Sequence, residues 1–155
     1  ACENVLQGHT DWVRCMHCSG STLVSGSDDH TIRVWDLATN ECVQTLEAVS
    51  VNCVQLTAKD KVYYGTEEGG VHGLDITTGK RFASLEGHTQ SVNCMHLLGD
   101  DRMLTGSGDC SVRVWDLATL ECLGEIRTHT YSVNCLSVCD GILYTGSGDC
   151  SLHAV

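Results

Sequence analysis

Proline is absent from this sequence, basic residues are few, and long apolar runs are missing. Without proline the usual strand breakers are gone, so extended segments can follow one another with only polar turns between them. Nine Lys and Arg stand against twenty Asp and Glu in 155 residues, a formal net charge of −11. Such a surface repels phosphate backbones, and Arg14, Arg33, Arg81, Arg102, Arg113 and Arg127 are scattered singly, so nucleic acid is a disfavoured partner. No segment approaches the roughly 20 apolar residues that span a bilayer, and no membrane partner is expected. Residues 1–6 show neither the basic start nor the apolar stretch of a signal peptide. Eleven cysteines, an odd number, cannot all pair within one chain. They are expected as reduced thiols in an intracellular setting, cytoplasmic or nuclear.

What the sequence does contain is globular: 42 % apolar and 19 % charged residues suit one folded domain and exclude a wholly disordered chain. A repeat of about forty residues runs through it. The stretches 6–15, 85–94 and 126–135 match closely, each with a His-Thr pair followed by a Val and a Cys. A degenerate copy spans 46–53. Residues 25–36 and 105–116 match downstream, ending in Trp35-Asp36 and Trp115-Asp116. Within each copy, pairs such as Val13/Cys15, Leu23/Ser25 and Ile32/Val34 alternate with more polar neighbours, the period of a strand. Ser, Gly, Asp and Asn clusters punctuate them as turns. Each copy reads as a four-stranded antiparallel sheet, and the chain as all-β.

Gly8-His9 and Gly87-His88 followed by the two Trp-Asp pairs resemble the WD40 repeat, whose signature is a GH…WD pattern at this period. The resemblance covers essentially the whole chain and implies a β-propeller of four blades, at about 7–46, 47–85, 86–126 and 127–155. The second and fourth copies depart from the pattern: Ala48-Val49 replaces Gly-His, Leu74-Asp75 replaces Trp-Asp, and Val155 stands at a Trp position. These two blades are expected to be the least stable. The phase of the termini matches the family's ring closure, in which residues 1–6 supply the outer strand of the last blade. Propellers have about 4 to 8 blades. Four blades closing alone would need about 90° each, whereas the resemblance implies blade faces suited to rings of seven or eight, at about 51° or 45°. The chain is therefore expected either to close by itself or to form half of an eight-bladed homodimeric ring. An excised part of a larger propeller is a further alternative.

His9, Ser25, Asp29 and Trp35 recur as His88, Thr105, Asp109 and Trp115, with a partial copy at His129, Thr145 and Asp149. These are hydrolase residue types. A nucleophile is normally unique, whereas a hydrogen-bond network inside each blade recurs with the repeat, as the WD40 resemblance implies. No catalytic residue is assigned. Cys15-Met-His-Cys18 has zinc-like spacing, but residues three apart on a strand face opposite ways, and strand cysteines commonly act as small buried hydrophobes. Asp28-Asp29 and Asp100-Asp101 lack the spacing of a calcium loop. Neither metal nor cofactor is expected. Binding remains. By resemblance, partners dock on the face bearing the loop before each first strand and the loop after each second strand. The matching positions are Trp12, Arg14 and Asp28; Ser50, Asn52 and Glu67; Ser91, Asn93 and Gly108; and Tyr131, Ser132, Asn134 and Gly148. Trp12 and Tyr131 are the interface anchors expected there. The expected function is a non-enzymatic scaffold for protein or peptide ligands, with an RNA-binding module as the alternative.

Overall fold

Short polar turns fold each repeat back on itself, and their spacing sets the sheets. The computed structural model describes residues 4–155, and among them every regular element is a strand. β1 (Val13–Ser19), β2 (Thr22–Ser27), β3 (Thr31–Asp36) and β4 (Glu41–Glu47) pair antiparallel in chain order. The second sheet holds β5 (Val51–Leu56), β6 (Lys61–Thr66), β7 (Val71–Asp75) and β8 (Arg81–Leu85). The third holds β9 (Val92–Leu98), β10 (Arg102–Ser107), β11 (Val112–Asp116) and β12 (Cys122–Ile126). The last sheet has three strands, β13 (Val133–Cys139), β14 (Ile142–Ser147) and β15 (Leu152–Ala154).

Two backbone devices recur with the repeat. The turn between the second and third strands of each sheet needs a left-handed residue, supplied by His30, Gly69, Cys110 and Cys150, with φ between 63° and 94°. Cys110 and Cys150 thus stand in turns, and Cys150 is exposed. The second device is a bulge in every innermost strand, between Val13 and Cys15, Val51 and Cys53, Val92 and Cys94, and Val133 and Cys135. It leaves one residue unpaired in each: Arg14, Asn52, Asn93 and Asn134. Bulges of this kind re-aim a side chain out of the ladder.

The sheets stack face to face in chain order. Val24, Ile32 and Leu46 of the first meet Val51, Val54 and Leu56 of the second. Val71, Ala83 and Leu85 meet Val92, Met95 and Trp115 of the third. Leu104 and Val112 meet Val133 and Leu143 of the last. At each junction a valine presses onto a glycine. A Cβ added at Gly26, Gly65 or Gly106 would collide with Val51, Val92 or Val133, so only glycine lets the sheets approach this closely. Polar bridges lock the same seams. The Leu56 N–H donates to His17 Nδ1 (3.1 Å), Gln55 Nε2 to the Met95 carbonyl (3.2 Å), and Asn93 Nδ2 to the Val133 carbonyl (3.0 Å).

The two ends of the stack are uncovered. Val13 is 55 % and Met16 71 % exposed, although their counterparts Val51, Val54, Val92, Met95 and Val133 are buried. Leu152 at the other end is 70 % exposed, against the buried Ile32, Val71 and Val112. The closing strand expected over residues 1–6 falls partly on 1–3, outside the described residues, and residues 4–6 form no strand. Leu6 instead borders a hollow with Val13, Met16, Leu23 and Trp35 on the first sheet.

Candidate functional site

The repeated polar quartet is built across one end of each sheet, joining the loop before the first strand to the second and third strands. In the first sheet, Trp35 Nε1–H donates to Ser25 Oγ (2.8 Å), which donates to His9 Nε2 (2.7 Å), while His9 Nδ1–H donates to Asp29 Oδ2 (2.8 Å). The third sheet repeats the chain with Trp115, Thr105, His88 and Asp109, at 2.8 Å for all three contacts. The last sheet has His129 against Thr145 (2.8 Å) and Asp149 (2.9 Å) without a tryptophan. There His153 stacks on His129, with ring centroids 4.2 Å apart.

A fifth member, overlooked in the sequence, stands two residues after each Asp. The hydroxyls of Thr31, Ser111 and Ser151 donate to the second carboxylate oxygen at 2.5–2.6 Å. Its recurrence in the repeat was the available signal. Arg33 and Arg113 were also overlooked; their guanidiniums lie over Gly8 and Gly87. In the second sheet Glu68, the counterpart of the network Asp, is exposed, and Thr66 and Gly70 bond one another instead.

Charge follows this geometry. Burial opposes ionisation of Asp109, but hydrogen bonds from Ser111, His88 and the Thr89 N–H outweigh it and hold the carboxyl down at about 2. Burial lowers the affinity of His88 for a proton, against the pull of Asp109. Both shifts have the same consequence on acidification. Below about pH 6.5 the unfolded chain protonates its histidine first, and from about pH 4 downward it protonates its aspartate first. Stability should therefore begin to fall below pH 6.5 and drop again between about pH 4 and 2. Urea midpoints measured from pH 8 to 3 check this; an unchanged midpoint over that range would contradict it.

The candidate docking residues lie on the loops at the bulged ends of the inner strands. Backbone bonds tie the two loops together in the first, third and last sheets: Asp28 N to Trp12 O (3.0 Å), Gly108 N to Ser91 O (2.8 Å) and Gly148 N to Ser132 O (3.0 Å). Trp12 is 70 % exposed, with the Arg14 guanidinium 5.0 Å above its ring. Arg14 Nε in turn reaches both oxygens of Asp28 at 2.8 Å. Tyr131 is 64 % exposed and lies against Gly148. Glu67 and Asn134 are exposed, and Ser50, Asn52 and Ser132 are half-buried. Asn93 is tied into the stack: its carbonyl oxygen accepts from Ser91 Oγ (2.9 Å) and its amide donates to the Val133 carbonyl (3.0 Å).

Among the described residues no cluster of His, Cys, Asp or Glu has a metal-holding arrangement, and no helix is long and apolar enough to cross a membrane. Burial pushes the Cys15 and Cys94 thiols up to about 12, which leaves them protonated and inert near neutrality.

Comparison with known proteins agrees with this architecture. The chain is 31 % identical over 115 residues to mitochondrial division protein 1 of Saccharomyces cerevisiae, covering 58 % of this chain and 16 % of that protein. It thus spans about a sixth of that relative's length. The designed Ika4 protein superposes with a TM-score of 0.86 at 27 % identity, over 97 % of this chain and 94 % of that one. The RRP9 WD40 repeats superpose equally well, at 0.86, with 17 % identity over 97 % of this chain and 53 % of that one. The family model described as "WD domain, G-beta repeat" matches residues 1–36, 79–116 and 120–153. The unmatched interval 37–78 contains β5, β6 and β7, three of the four strands of the sheet without a histidine network. By its repeats, its sheets and these matches, the chain belongs to the WD40 family.

Proposed function

We propose that this chain is a non-enzymatic scaffold that binds a protein or peptide on its loop face. WD40 domains are typically protein-interaction scaffolds, and the observation that carries the reading here is the Trp12–Arg14–Asp28 platform. A large aromatic in solvent, held flat by an ion-paired arginine and mounted on a rigid sheet, is the kind of preorganised anchor that dominates binding energy. Tyr131 offers a second anchor on the same face. The acidic surface favours protein over nucleic acid, and Glu67 and Asp28 around the platform suit a ligand with basic side chains beside an apolar one. The proposed setting is intracellular, supported by ten described cysteines that are all free thiols. The proposed partners also include a second copy of this chain.

Peptides selected from a displayed random library against the immobilised chain provide the test. Trp12→Ala and Tyr131→Ala should each weaken a selected peptide by about tenfold or more, as loss of a hot-spot aromatic does, while the melting temperature stays within a few degrees. Unchanged affinity in both variants would move the binding site off this face.

A further inference from the structure

We infer that a hollow between the first and second sheets binds the C-terminal end of a peptide, whose carboxylate is held by Arg81. The site lies apart from Trp12 and does not depend on the loop-face reading.

The second sheet departs from its neighbours here in loop and side chains together. From the repeat leucine to the repeat cysteine it runs Leu46 to Cys53, two residues shorter than Leu6 to Cys15 or Leu85 to Cys94. That loop brings in no histidine. The position of Ser25 and Thr105 is taken by Tyr64, which is fully buried and accepts a hydrogen bond from Arg81 Nη2 at 3.1 Å. Arg81 pairs with Leu74 across the ladder as Cys122 pairs with Trp115 in the third sheet. Beside the shortened loop lies a hollow of about 400 Å³, lined by His30, Glu47, Ala48, Val49 and Arg81. It belongs to a completed seam, the one in which Val51 presses onto Gly26.

The charges bordering this hollow are unmatched. Arg14, Arg113 and Arg127 each pair with a carboxylate. Among the described residues Arg81 pairs with none, although acids outnumber bases in the chain by twenty to nine. Glu47 lines the same hollow and forms no ion pair with it. The bond to Tyr64 fixes one corner of the guanidinium and leaves its other donors to a ligand, and that planar fork matches a carboxylate. Buried Ala48 and half-exposed Val49 add an apolar lining beside the charge.

These features specify the occupant. The last residue of a peptide brings a carboxylate for Arg81 and an apolar side chain for Ala48 and Val49. A basic side chain just upstream answers Glu47, and it offsets the repulsion that a carboxylate meets from a surface of charge −11. The volume falls in the range of ordinary ligand pockets.

Hexapeptides randomised upstream of a Lys-Leu end, made as free acids and as C-terminal amides, test the site when titrated with the whole chain by fluorescence anisotropy. Binders are expected among the free acids, with the matching amides about tenfold weaker or more, because a charge-assisted contact is lost. Arg81→Gln should weaken the acids by the same factor and leave the amides unchanged, a split that a merely structural arginine would not produce. Arg81→Lys should recover part of the loss. Val49→Asp, at an exposed position, should also weaken the acids about tenfold and reads the site even if the Arg81 variants misfold. Trp12→Ala should change nothing. Acids that bind no better than amides, or no binding by any acid, would overturn the inference. Loss of binding in Trp12→Ala with none in Val49→Asp would place the peptide on the loop face and overturn it as well. Free leucine competing as strongly as the hexapeptide would make this a small-molecule site and overturn the peptide.

Discussion

Asp109→Ala is expected to melt about 10 °C below the parent. The carboxylate receives four hydrogen bonds, from His88 Nδ1, the Thr89 N–H, the Ser111 N–H and Ser111 Oγ, and its side chain is almost fully enclosed. Removing it leaves several buried donors unpaired at about 1–3 kcal/mol each. A total near 3–4 kcal/mol corresponds to roughly 10 °C for a domain of this size. Glu68→Ala, at the same repeat position in the second sheet, removes an exposed side chain and should stay within about 0.5 kcal/mol of the parent. Calorimetry on the two variants decides it. Equal shifts would mean that the network is not what holds these sheets together.

Trp115→Ala should cost as much or more, about 3–5 kcal/mol by the usual price of truncating a buried aromatic. Trp115 is fully buried between the second and third sheets, packed with Leu85, Val92 and Met103. Its Nε1–H also closes the Thr105–His88–Asp109 chain. Trp115→Phe separates the two contributions, since it keeps most of the volume and removes only the donor; it should recover more than half of the loss. A denaturant titration that finds the Phe variant as weak as the Ala variant would show that the hydrogen bond, not the packing, dominates at this position.

The local order of this molecule was legible in the sequence, and the reason is repetition. A hydrogen bond between His88 and Asp109 cannot be read from either residue, but the same two types at the same separation in His9/Asp29 and His129/Asp149 make a structural relationship visible. The strands followed from alternation and the turns from their polar clusters. Contacts between repeats were not legible. Asn93 reads as a free polar side chain because its acceptor, Val133, lies forty residues away. Nothing in the sequence marks Gly106 as a slot for Val133. The bulges were hidden for a different reason: an extra residue in one strand leaves the apolar alternation looking merely imperfect. Those bulges set the direction of Arg14, which decides whether Trp12 is an isolated ring or a supported platform.

The valine-in-glycine seams also make the molecule a one-dimensional lattice. Each sheet couples only to its neighbours, so free energy adds link by link rather than through a shared centre. A link carries its plug at one side and its socket at the other, both encoded within about forty residues. Duplicating such a segment delivers a new unit already compatible with both neighbours, and deleting one leaves the remaining contacts matched. Drift within a link is tolerated as long as plug and socket survive, which is how the second sheet could lose its histidine network while Val51 and Gly65 kept their places in the array.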